Sequence, residues 1–69
     1  MLQIKEVSPA YSFQGHADLL IEGTENGVEK SWYYDNVDGT IESETGPVND
    51  PLLLQTLWQA TRLYRLRAS

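Results

Sequence analysis

The sequence predicts an α+β domain: an antiparallel β-meander of three or four strands with one C-terminal α-helix packed across one face. Three observations predict it. Two turn signatures of known geometry lie within residues 19–41. The strands those turns define sort their apolar side chains onto one side. A capped run of helix-forming residues follows position 50.

The first turn is Asn26-Gly27. A two-residue type I′ hairpin needs positive φ at both central positions, which Asn and Gly supply at least cost. That register sets Glu25 opposite Val28, Ile21 opposite Trp32, Leu20 opposite Tyr33 and Leu19 opposite Tyr34. Leu19, Ile21, Trp32 and Tyr34 then share one face, whereas a one-residue slip would mix the faces. The second turn is Asn36-Val37-Asp38-Gly39, which suits a type I turn closed by a left-handed Gly in a bulge. It sets Asp35 opposite Thr40 and Tyr34 opposite Ile41. A tight Asp38-Gly39 turn would pair Ile41 with Asn36 instead; the bulged loop keeps Ile41 on the Trp32 face.

Upstream, Leu2 to Val7 reads as a strand, with Leu2 and Ile4 on one face and Gln3, Lys5 and Val7 on the other. Ser8-Pro9 interrupts it, because Pro cannot donate to a ladder. Tyr11 to Glu22 alternates as a long second strand. Tyr11, Phe13, Ala17, Leu19 and Ile21 point one way; Ser12, Gln14, His16, Asp18 and Glu22 point the other, with Leu20 the exception. Gly15 marks a bulge or bend, and the first strand pairs with the early part of this second one. Gly23 is assigned to a turn.

Downstream, Gly46-Pro47 ends regular structure and Asn49-Asp50-Pro51 announces a helix, since Asn or Asp caps and Pro suits the first helical position. The helix should run from Pro51 to about Arg67. At 100° per residue Leu53, Leu57, Ala60 and Tyr64 stack into a stripe facing the sheet. Leu52, Thr56 and Leu63 form one shoulder; Leu54 and Trp58 form the other, in line with Thr61 and Arg65.

At 69 residues with no cysteine, the chain makes one domain without disulfides or thiolate metal ligands. The opening MLQIKEV carries Glu6 and no long apolar run, so it does not read as a signal peptide. An uninterrupted apolar run such as Leu52-Leu53-Leu54, which none exceeds, is far short of a membrane span. The expectation is a soluble, cytoplasmic protein. The net charge is −5, and all ten acidic residues lie between Glu6 and Asp50, while Arg62, Arg65 and Arg67 cluster at the end. Part of that asymmetry is the preference of a helix C-terminus for cations.

Catalysis finds no support. His16 is the only histidine and falls on a polar strand face, no cysteine exists, and no serine sits in a nucleophile context. No catalytic, cofactor-binding or metal-ligating set is predicted, and no Gly-rich phosphate loop occurs. The outward face of the sheet is the candidate surface. Asp18, Leu20, Tyr33, Asp35, Glu42 and Glu44 form the predicted partner-binding set, with Leu20 and Tyr33 as apolar centre and carboxylates as rim. Asp18 would stand opposite Asp35 as a like-charge pair.

The function expected is that of a small acidic non-catalytic protein-binding module. It would be an adaptor, inhibitor or regulatory accessory protein, of bacterial or phage type, docking a partner with a basic surface. The alternative is a self-associating structural or assembly subunit that uses the helix shoulder, with Leu54 and Trp58 as dimer contact, and a strand edge. A third reading is mimicry of nucleic acid by the carboxylates. In topology the meander and helix resemble the sheet-type DNA-binding domains of some plant transcription factors and phage integrases. Those read DNA with basic residues on the sheet; here the face is acidic and repels phosphates, so direct nucleic-acid binding is disfavoured.

Overall fold

The computed structural model describes residues 2–11 and 17–68. Five strands and one helix follow in order: β1 Leu2–Tyr11, β2 Ala17–Glu25, β3 Val28–Tyr34, β4 Ile41–Ser43, β5 Gly46–Pro47 and α1 Pro51–Ala68. The strands form one antiparallel sheet in sequence order, and α1 packs across one face. This is the α+β meander expected. Among the described residues no helix is long and apolar enough to cross a membrane.

Both turns take the predicted geometry. Asn26 and Gly27 have φ of 54° and 81°, the mirror-image turn that matches strand twist. β2 and β3 pair from Glu25↔Val28 through Leu19↔Tyr34 in the expected register. At the second turn Gly39 has φ 73°, and the Asp35 N–H donates to the Thr40 carbonyl at 2.8 Å. The Asp35 carboxylate accepts from the N–H groups of Val37 and Asp38 at 2.8 and 3.2 Å, holding the loop from within. Tyr34↔Ile41 pairing follows, and Ile41 enters the core.

The N-terminal region departs from expectation. β1 does not stop at Ser8-Pro9 but continues to Tyr11, which belongs to β1 and pairs with Ala17. Pro9 stands opposite Leu19 in the outermost strand, where a residue lacking an N–H is tolerated because only alternate groups face the neighbour. β1 pairs along the whole of β2, from Leu2↔Glu25 to Tyr11↔Ala17, and not only with its early part. The expectations for Ser12, Phe13, Gln14, Gly15 and His16 lie outside the described residues.

A register shift occurs between Ile4 and Glu6, so Lys5 is an extra residue. The shift carries Val7 onto the core side with Leu2 and Ile4, whereas strict alternation would put it on the other face. Gly23, opposite Ile4, is a strand residue and not a turn residue. A Cβ there would run into the backbone of Gln3 and Ile4, so β1 approaches β2 closely at this point because the side chain is absent.

A fifth strand also escapes the sequence reading. Gly46-Pro47 pairs with Ser43 and Glu42, and the Ser43 hydroxyl donates to the Gly46 carbonyl at 3.0 Å. The turn is tight enough for two residues to close it, with Gly46 at φ 122°.

The helix begins where Asp50 caps it: its carboxylate accepts the Leu52 N–H at 3.1 Å, and its carbonyl takes the first helical bond, from Leu54. Leu19, Ile21, Trp32, Tyr34, Ile41 and Leu57 form the buried core, with Leu2, Ile4, Val7, Val48, Leu53, Leu54 and Tyr64 packed around it. The helix is rotated relative to the stripe expected. Its buried line is Leu57 and Thr61, so Leu53 and Leu54 flank it on either side. Thr61 is fully buried because its hydroxyl is satisfied locally, donating to the Trp58 carbonyl at 2.7 Å. The Leu52/Thr56/Leu63 shoulder is left exposed.

Candidate functional site

The ladder registers fix what the outer face of the sheet presents. Ser8, Leu20, Tyr33, Glu42 and Pro47 stand in one row across all five strands. The next row holds Glu6, Glu22 and Ser31, and the one beyond it Gln3, Thr24 and Glu29. Tyr33 is 51% exposed although it sits between two packed core residues, Trp32 and Tyr34. Strand alternation compels this: burying its neighbours turns Tyr33 outward. Leu20 beside it is half-buried, Glu42 on its other side is exposed, and Glu22 is exposed in the adjoining row.

Of the residues predicted to bind a partner, Leu20, Tyr33 and Glu42 therefore lie side by side. Asp18 pairs with Ala10 through its backbone, and its side chain lies outside what the structure describes. The expected Asp18–Asp35 pairing is not formed: the β2–β3 ladder ends at Leu19↔Tyr34. Asp35 turns its carboxylate into the β3–β4 loop, which secures the turn. Glu44 lies in the β4–β5 turn, outside the Tyr33 row. It shares a shallow depression with Lys5, Glu22, Glu29, Lys30 and Ser31.

Two features of this face were not legible from alternation. Glu6 joins it, directly opposite Glu22, because of the bulge at Lys5. Lys5 reaches across to Glu29 at 3.9 Å, an exposed contact of little energetic weight. Glu6 and Glu22 stand opposite one another as like charges across the two strands, an arrangement that costs stability. The trace in the sequence that marked the bulge is Gly23, a glycine within a strand pattern.

On the other side, Leu54 packs against the core, and Trp58 lies over the β3–β4 loop, its indole N–H donating to the Gly39 carbonyl at 3.1 Å. Arg65 sits over the Tyr34 ring, 5.4 Å from its centroid, with its guanidinium 3.4 Å from the phenol oxygen. The predicted dimer contact, Leu54 and Trp58, is thus engaged in tying the helix to the sheet.

Among the described residues no group of three or more His, Cys, Asp or Glu side chains is placed to hold a metal ion. What the outer face offers is an aromatic ring and an aliphatic neighbour on rigid backbone, bordered by carboxylates. A guanidinium can stack on such a ring while hydrogen-bonding a carboxylate. Comparisons of the chain with protein families, with characterised proteins and with solved structures find no match.

Proposed function

We propose that this protein is a small, acidic, non-catalytic binding module that docks a basic protein partner on the outer face of its sheet. It acts as an adaptor, inhibitor or regulatory accessory protein, most simply in the cytoplasm. The observation that carries the reading is the row Leu20–Tyr33–Glu42, with Tyr33 half-exposed on a central strand and Glu6 and Glu22 in the next row. An exposed tyrosine held by two buried neighbours loses little conformational freedom on binding, which favours it as an anchor. The carboxylates around it select a partner bearing Arg or Lys and speed the encounter.

The test is affinity capture from cell extract with the wild-type protein and with Tyr33→Ala combined with Glu42→Lys. Both positions are exposed, so the fold is retained. The double variant should lose basic partners that the wild type retains, and rising salt should weaken the wild-type complex. Recovery of the same partners in undiminished amount would reject the outer face as the docking surface.

A further inference from the structure

We propose that a short extended peptide bearing arginine or lysine adds to the sheet in the notch beyond the end of β4, pairing with the free edge of β3. β3 runs from Val28 to Tyr34, but among the described residues β4 meets it only at Trp32, Tyr33 and Tyr34. Val28, Glu29, Lys30 and Ser31 therefore have a neighbouring strand, β2, on one side alone. The two-residue turn makes Glu25↔Val28 a hydrogen-bonded pair, so every second residue of β3 from Val28 bonds β2. The residues between them turn their backbone groups the opposite way, as the Asp35 N–H does toward Thr40. By that alternation Glu29 presents its N–H and carbonyl to the notch, and a peptide residue laid opposite it can satisfy both.

The notch is also a cavity. Its volume is about 420 Å³, and it lies between this strand edge, the β4–β5 turn and the start of α1. Trp32, Val48 and Leu53, all part of the core or packed against it, give it apolar walls. Glu25, Glu29, Glu44 and Asp50 line it with carboxylates, against a single cation, Lys30. Lys30 is already engaged with Glu25 at 3.2 Å. Lys5 approaches Glu29 at 3.9 Å in an exposed contact that a better-placed cation would displace at little cost. An arginine or lysine side chain matches both parts of the cavity: its methylenes lie on the apolar walls and its head reaches the carboxylates.

Charge and edge chemistry select this occupant over others. An acidic segment is repelled by the lining. A second copy joined through the same edge would bring Glu29 and Glu44 of the two chains together. The outer edge of β1 carries the bulge at Lys5 and Pro9, both devices that blunt pairing, whereas Val28 to Ser31 carry neither a bulge nor a proline. None of the notch residues belongs to the Leu20–Tyr33–Glu42 row, so the site is separate from the docking face and does not rest on it.

Amide NMR of the whole chain, titrated with short peptides blocked at both ends, tests it. A peptide alternating arginine and valine should shift the Glu29 and Ser31 amides, slow hydrogen exchange at the Glu29 N–H, and bind less tightly as salt rises. Replacing its arginines by glutamate should raise Kd at least about tenfold. Methylating every backbone nitrogen of the arginine peptide keeps its charge and removes its donors, and should weaken it by a similar factor. Glu44→Lys, at an exposed position, should also weaken the arginine peptide with an unchanged circular dichroism spectrum. Tyr33→Ala should leave this Kd as it is, which separates the notch from the docking face. Glu29 and Ser31 amides that do not move, a methylated or glutamate peptide that binds equally well, or a Glu44→Lys chain with undiminished affinity would overturn the proposal.

Discussion

Gly23→Ala and Gly27→Ala are the same chemical change, yet the structure assigns them different costs. Gly27 has φ 81°, and a Cβ there meets nothing within 4 Å. Its replacement carries only the left-handed backbone penalty, about 1 kcal/mol. Gly23 has no such φ, but all three atoms nearest an added Cβ are backbone atoms of Gln3 and Ile4. No flexible side chain can yield, so β1 itself must move at the bulge. Overpacking costs about 1–3 kcal/mol and sometimes more, and the rigid backbone puts Gly23→Ala at about 3 kcal/mol. A domain of 69 residues holds roughly 3–10 kcal/mol in total, at about 0.05–0.15 per residue. With about 4–8 °C per kcal/mol for a domain of this size, Gly23→Ala should lower Tm by about 12–24 °C and Gly27→Ala by about 4–8 °C. Thermal unfolding followed by circular dichroism reads both. If Gly23→Ala proved no worse than Gly27→Ala, β1 would not lie where the structure puts it, and Glu6 would lose its place beside Glu22.

Further outcomes follow from single contacts. Thr61→Val keeps the volume of a fully buried side chain and removes a locally satisfied hydroxyl, so urea unfolding should place it within about 1 kcal/mol of wild type; a loss twice that size would mean the hydroxyl supports more than its own helix turn. Asp50→Ala removes the cap on the Leu52 N–H and should cost about 1 kcal/mol by the same measurement. Trp58→Phe deletes the donor to Gly39 and should cost about 1 kcal/mol, accompanied by faster amide exchange at Gly39. Tyr33→Ala should leave stability within about 0.5 kcal/mol of wild type, since the ring faces outward, while abolishing partner capture.

The central strands were legible because several signals agree there. Asn26-Gly27 and Gly39 demand positive φ, and the register they impose is also the one that gathers Leu19, Ile21, Trp32, Tyr34 and Ile41. The helix start was legible for the same reason: cap, Pro and apolar spacing coincide. β1 was not, because a bulge has no residue code of its own. Lys5 looks like any polar strand residue, and only the close approach at Gly23 betrays the extra residue opposite. Pro9 was misleading, since a rule that excludes proline from central strands says little about an outermost one. The helix rotation was hidden by composition: leucines occur around most of its circumference, and a threonine whose hydroxyl closes on its own helix packs as an apolar residue would. For the candidate site, the Leu20–Tyr33 centre came directly from the hairpin register. The loop contacts of Asp35 were not read from the sequence, because a side chain at a turn entrance competes to bond its own backbone.

The two tryptophans divide the molecule optically. Trp32 is 2% exposed at the bottom of the core, whereas Trp58 is 45% exposed with its indole fastened to the β3–β4 loop. An aqueous quencher such as acrylamide therefore reaches one chromophore and not the other. The quenchable fraction reports events at the helix surface and the neighbouring loop, and the protected fraction reports the integrity of the interior. One emission spectrum, resolved in this way, distinguishes occupancy of a surface from loss of the fold without any attached label.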